Sequence, residues 1–356
     1  MKEITTTVDD WDWCIDDVSR LEPWFSVYKD LEEKFLVSRH GSVALFKVSD
    51  VAGKSYFVRH ETPDGLTENL KAWFRSKARS LYEASLLLEQ HGIPAVKCAG
   101  WAKCGTESML LSEEYPDSMS ALEYWYRIVP DNNVLRLEFL SKLSELLGRY
   151  YKAGIVQDDL SLEHILVKED GSEMAVLQAG KVEECAGGLD RDEKISIIRP
   201  FAEMRGELTA DNATIWILNS GIAADSQEAG ELWDEAVAAY EQYIEEDLWP
   251  GIEEAIQCCE ENPYCRFIFR EDGFTCVRNT LWHAPVELSS DGNSHAEEVP
   301  REEAGKIFLN SIKARILREP VQKLPVVWVH YEGEKNDIIR YADSSEADYS
   351  GNFMEP

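Results

Sequence analysis

The stretch "GIVQDDLSLEHILV", residues 154–167, puts two adjacent aspartates and a histidine into a short loop that feeds an apolar run. A carboxylate held on such a loop can orient a hydroxyl and take its proton. It can equally accept backbone hydrogen bonds and hold the turn, as aspartates in tight turns do. Asp159 is open to both readings. A second group of reactive side chains is Cys258, Cys259, Cys265 and Cys276 in "CCEENPYCRFIFREDGFTC". Structural zinc sites usually pair cysteines a few residues apart, and the chain holds no C-x-x-C, so reduced and mostly buried thiols are the better reading.

These groups need elements to position them. "KFLVSRHGSVALFKV" (34–48) reads as two strands around a His40-Gly41 turn, and "KSYFVRHE" (54–61) as a third. "LKAWFRSKARSLYEASLLLEQHGIP" carries apolar residues at helical spacing, with Gly92 and Pro94 ending it. Two more strands follow in "VKCAGWAK" and "ESMLLSEEY", and then a second amphipathic helix from Asn133 to Lys152. "EMAVLQAG" is a short apolar strand after the Glu169-Asp170-Gly171 turn. The half beyond residue 190 reads as helices. The order gives an α+β class. Residues 1–30 read as an acidic, aromatic lead, helical or irregular. Residues 31–116 form an N-lobe, 117–280 a C-lobe, 281–332 a C-terminal extension with one helix and one strand, and 333–356 an acidic tail.

Composition bounds the function. The chain has 356 residues and a globular apolar content of 44%. Its 67 acidic residues against 36 basic ones leave a net charge of −31, a field that repels nucleic acid and anionic lipid. No run reaches the roughly 20 apolar residues of a membrane span, and the start "MKEITTTVDDWDW" lacks a signal-peptide pattern. A cytoplasmic chain without an integral membrane segment is expected.

The order of elements resembles a two-lobed protein-kinase-like fold: an antiparallel-sheet N-lobe with one helix, then a helical C-lobe. "QDDLSLEHILV" lies on the kinase catalytic loop, with Asp159 at the catalytic aspartate and His164 at the metal-binding asparagine. Within such folds the chain resembles the lipopolysaccharide kinases of the Kdo/WaaP type. The stretches that carry the likeness are "GSVALFKV" with "SYFVRHE", "EASLLLEQHGIPAVKCAGW" with "SMLLSEEY", and "NPYCRFIFREDGFTCVRN".

The resemblance implies ATP and magnesium as cofactors, and a nucleotide or the sugar of a glycolipid as partner. It implies nucleotide contacts at Val43, just after the glycine turn, at Arg59 in place of the strand-three lysine, and at Glu83 on the helix. Metal ligation falls to His164 and Gln178. Several of these positions are degenerate. Gln178 is neutral where magnesium wants a carboxylate, His164 offers nitrogen, and Arg59 is a broad fork rather than a compact ammonium. The expectation is a catalytically impaired, pseudokinase-type binding module with weak or absent Mg-ATP binding. The alternatives are an active ATP-dependent kinase acting on a lipopolysaccharide-core sugar and an unrelated α+β binding protein.

Overall fold

The computed structural model describes residues 4–8, 10–15, 36–40, 42–49, 53–63, 65, 69, 72, 76–127, 129, 133–177, 180–206, 208–260, 262, 264–278, 296–317 and 325–341. The chain divides into two compact units: Met1–Pro200 with Thr214–Leu232, and Phe201–Ala213 with Trp233–Pro356.

The first unit opens with strands β1 (Ile4–Val8) and β2 (Trp11–Ile15), a hairpin turning at Asp10, whose φ of 68° is one that short polar side chains tolerate. Strands β3 (Leu36–His40), β4 (Val43–Ser49) and β5 (Ser55–Glu61) form an antiparallel meander. Helix α1 (Lys77–Gln90) follows, then β6 (Cys98–Cys104) and β7 (Glu107–Glu113). The sheet order is β1-β2-β6-β7-β5-β4-β3, all antiparallel. α1 starts where the Ser76 hydroxyl accepts from the Arg79 N–H, and it ends at Gly92, which takes a positive φ of 69°. Its buried Ala78, Leu81 and Tyr82 pack on Cys98 and Leu110 of the sheet. The helix is shorter at its start than the sequence pattern predicts, and Leu70, Trp73 and Phe74 lie outside the described residues.

The other face of this sheet buries its own cluster, including Trp11, Trp13, Ile15, Phe46, Tyr56, Val58 and Met109. The rings of Trp11 on β2 and His60 on β5 meet at 5.9 Å, although β6 and β7 lie between those strands. Three strand spacings in a flat sheet would separate them by about 14 Å, so the sheet curls over its apolar face. The lead expected to be helical or irregular is therefore, over residues 4–15, the hairpin that closes this curl. Its alternating Trp11, Trp13 and Ile15 are the apolar side, an alternation masked in the sequence by surrounding acids.

Beyond β7 come β8 (Ser118–Ser120), α2 (Ala121–Arg127), α3 (Asn133–Ala153), β9 (Ile155–Gln157), β10 (Ile165–Lys168), β11 (Met174–Val176), β12 (Val182–Glu184) and α4 (Arg191–Ile198). α3 buries Phe139, Leu140, Leu143, Leu146, Leu147 and Tyr150 along one stripe. The short strands pair as β9 with β12 and β10 with both β8 and β11. A three-strand meander, a helix, a strand pair whose second member inserts beside the meander, then helices and a loop between short hairpins: this is a protein-kinase-like fold of the α+β class.

Helices α5 (Ala210–Ser220), α6 (Ser226–Tyr243) and α7 (Trp249–Gln257) follow. In the second unit β13 (Cys265–Arg270), β14 (Gly273–Arg278), β15 (Ala296–Pro300), helix α8 (Arg301–Ile316), β16 (Pro325–Tyr331) and β17 (Asn336–Tyr341) build a sheet of order β13-β14-β16-β17-β15. Trp249, Ile252, Ile256, Phe308 and Ile312 from α7 and α8 cover Cys265 and Cys276 on one face of it. This sheet crosses residue 280, since β14 pairs with β16, so the hairpin 265–278 and the extension after it share one core. Residues 336–341 are a strand rather than part of an acidic tail. Asp337, Ile339 and Tyr341 point inward in alternation, and the Gly333 turn returns the chain to β16. The charged neighbours of this short run hide it from a composition-based reading.

Candidate functional site

The loop between β9 and β10 holds the groups singled out in the sequence. Leu160 and Leu162 are buried and pin the loop by its apolar side chains, leaving the polar ones on either side of them to form the site. The backbone then closes on itself: the His164 N–H donates to the Ser161 carbonyl at 3.1 Å, and the Leu177 N–H to the His164 carbonyl at 2.7 Å.

The Asp159 carboxylate is engaged by two donors. Its Oδ1 accepts from the Gln157 side-chain amide at 2.9 Å and from the Gly180 N–H at 2.8 Å. A Cβ at Gly180 would lie 2.3 Å from Asp159 Oδ2, so a larger residue there requires the carboxylate to move from this seat. Gln157, itself buried, accepts from the Tyr150 hydroxyl at 2.6 Å on α3. Tyr150, Gln157, Asp159 and Gly180 are thus one hydrogen-bonded chain from helix to loop. Burial, and then the Asp159 charge, push the Tyr150 hydroxyl well above the usual tyrosine range, so it stays a donor.

His164 Nδ1 lies 2.6 Å from the Asp159 carbonyl oxygen. A carbonyl only accepts, so Nδ1 carries the proton and Nε2 the lone pair in the neutral ring. That tautomer leaves Nε2 as an acceptor or metal ligand. The neighbouring Asp158 is exposed and lies 3.8 Å from Lys181, which also pairs with Glu183 at 2.6 Å.

Arg59 sits on β5 directly opposite Leu110 of β7. Leu110 packs under α1, and directly opposed residues share a face, so Arg59 stands on the α1 side of the sheet. It donates to Glu61 at 2.8 Å on its own strand, while Glu83 on α1 accepts from Arg79 at 2.8 Å one turn away. Strand and helix therefore each give the expected pair a carboxylate–guanidinium contact of its own. Val43 is half-buried as the first residue of β4, opposite Glu61. Gln178 lies outside the described residues. Among the described residues no group of three or more His, Cys, Asp or Glu is arranged to hold a metal ion, the four cysteines included. Sequence reasoning passed over Gln157, Tyr150 and Gly180. A glutamine inside the apolar run "GIVQ" was the available signal, because a polar amide in a buried strand needs partners.

No family model matches the chain, and no curated protein matches it. Solved structures similar to it include WaaP in complex with acyl carrier protein, at 13% identity and a TM-score of 0.49, covering 65% of this chain and 98% of that one. Another is the pseudokinase domain of BIR2, an immune regulator of the RLK/Pelle family, at 12% identity and a TM-score of 0.36, covering 62% of this chain and 78% of that one. At such values neither likeness carries an argument about activity, and the kinase-like fold rests on the strand order and the loop described above. Among the described residues no helix is long and apolar enough to cross a membrane.

Proposed function

We propose that this chain is a pseudokinase-type binding module, in which the catalytic loop of a kinase-like fold is kept as a scaffold and phosphoryl transfer from ATP is lost or severely impaired. The observation that supports this is the seat of the Asp159 carboxylate. A proton acceptor must offer an oxygen to the attacking hydroxyl. Here Oδ1 accepts from Gln157 and Gly180, and the carboxylate packs so close to Gly180 that a Cβ there would meet Oδ2 at 2.3 Å. The cation of strand three supports the same reading, since Arg59 is paired along its own strand. Gln178 brings no charge to a magnesium ion bridging two phosphates. Weak or absent Mg-ATP binding follows. Any nucleotide or glycolipid sugar taken up would be held without metal assistance.

One observation favours the runner-up, an active kinase of the lipopolysaccharide type acting on a sugar hydroxyl: the His164 tautomer, which keeps Nε2 as a ligand. The variants Gln178→Asp and Arg59→Lys, alone and together, separate the two by metal-dependent ATP binding and hydrolysis. The pseudokinase reading expects the double variant to gain more affinity than the singles combined, because both residues act on one ligand. Asp159→Asn placed on the double variant should leave that binding in place and remove any transfer regained. Substantial Mg-dependent transfer by the unaltered chain, abolished by Asp159→Asn, would establish the kinase instead.

A further inference from the structure

Among the described residues, the first strand of the second unit's sheet is an edge strand with no neighbouring strand on its outer side. β13 lies at the end of the order β13-β14-β16-β17-β15. The Cys265 N–H donates to Asn262 Oδ1 at 3.2 Å, and its carbonyl accepts from the Asn262 N–H at 3.1 Å, both on the side away from β14. In an antiparallel strand the groups of alternate residues point the same way, so the N–H and C=O of Phe267 and Phe269 also face the open side. The two-residue turn at Glu271 and Asp272, closed by the Arg270–Gly273 pair, fixes the same alternation from the other end. Among the described residues nothing hydrogen-bonds to these four groups.

The side chains along this edge are distinctive for so acidic a chain. Phe267 leans into the core, while Ile268 is 43% and Phe269 67% exposed. Arg266 and Arg270 flank Ile268 on the opposite face from the phenylalanines, both exposed, and neither has an ion pair among the described residues. With 67 acidic side chains against 36 basic ones, two neighbouring guanidiniums lacking carboxylates stand out.

We propose that β13 is a docking edge for an extended segment of a partner protein carrying two carboxylates four residues apart around apolar residues. Such a segment adds as an antiparallel strand, exchanging backbone hydrogen bonds with Phe267 and Phe269. Its carboxylates lie opposite Arg266 and Arg270, where opposite charges directly across a ladder stabilise the pair. Its apolar side chains cover Phe269. A second copy of this chain fits less well, since self-pairing about Ile268 would set Arg266 against Arg270. The repulsion of the whole molecule for an acidic partner is screened within about 8 Å at physiological salt, so the local pairs decide.

The test uses the full chain and a soluble peptide bearing Glu-Val-Thr-Val-Glu between Gly/Ser flanks, read by fluorescence anisotropy. Binding is expected, and the double charge reversal Arg266→Glu with Arg270→Glu should weaken it by about tenfold or more, as loss of two facing ion pairs implies. A peptide with lysines for the glutamates should bind the reversed chain and not the parent. Phe269→Pro removes one outward N–H without touching the β14 ladder, where edge prolines are tolerated. It should keep the thermal transition and lose binding. The proposal fails if no binding is seen, or if a scrambled peptide of the same composition binds equally. It also fails if Phe269→Pro binds as the parent does while folding normally. Dimerisation of the chain itself, abolished by the charge reversal, would reassign the edge to self-association. Aggregation on replacing both arginines by valine, with no peptide bound by the parent, would reduce them to guards of an exposed edge.

Discussion

The proposed role of Asp159 as a loop anchor draws on the contacts of its carboxylate with Gln157 and Gly180. Adding one methyl group there would set a carbon 2.3 Å from Asp159 Oδ2, a distance no relaxed structure accepts. Gly180→Ala should therefore push the carboxylate from its seat and destabilise the fold by about 1–3 kcal/mol through overpacking. Chemical denaturation measures this, and an unchanged midpoint would mean that the carboxylate is not held against the glycine. Tyr150 offers a test by pH. Its hydroxyl is raised far above the ordinary value of 10.0 by burial and then by the Asp159 charge. Above pH ~10 the unfolded chain loses that proton while the folded one keeps it, so the unfolded state binds fewer protons and stability falls as pH rises. Tyr150→Phe should flatten the fall above pH 10, at a cost of about 1–3 kcal/mol at neutral pH for the acceptor left on Gln157. That Asp159 and His164 share one loop was legible in the sequence, because residue type and spacing place them between two short apolar runs. Tyr150, Gln157 and Gly180 were not, because hydrogen-bond satisfaction between a helix, a strand and a loop is a tertiary property.

At the scale of elements, the strands and helices that pack by simple periodicity were readable: β4, β5, α1, β7 and α3 follow their apolar spacing. The β1–β2 hairpin and β17 were not, because charged flanks outweigh short alternating runs. The hairpin's union with the sheet has a sharp test. A Cβ at Gly100 on β6 would lie 2.6 Å from the Cys14 carbonyl oxygen of β2, a backbone atom that cannot swing aside. Gly100→Ala should separate β2 from β6 and expose Trp13, now 2% accessible. A red shift of tryptophan emission and faster proteolysis near residue 15 are the expected readouts. The change Trp13→Ala should cost about 3–5 kcal/mol as a large core truncation, which thermal unfolding reports. A loss near zero would remove the hairpin from the core of the sheet.

Across the whole molecule, a kinase-like unit and a second sheet-and-helix unit are built on one strongly acidic chain. The fold class was legible because the strand-strand-strand-helix-strand-strand order is written in local patterns. The proposed impairment of catalysis draws on the sequence only in part, through neutral Gln178 and forked Arg59, since whether a loop aspartate is presented or held depends on its surroundings in space. The claim that the nucleotide machinery is degenerate meets its most direct test in a calorimetric titration of the unaltered chain with ATP, run with magnesium and again after chelation. The account predicts either no heat of binding or weak binding that chelation leaves unchanged, because no carboxylate at 178 holds the metal between phosphates. Micromolar ATP affinity that vanishes when magnesium is removed would contradict it.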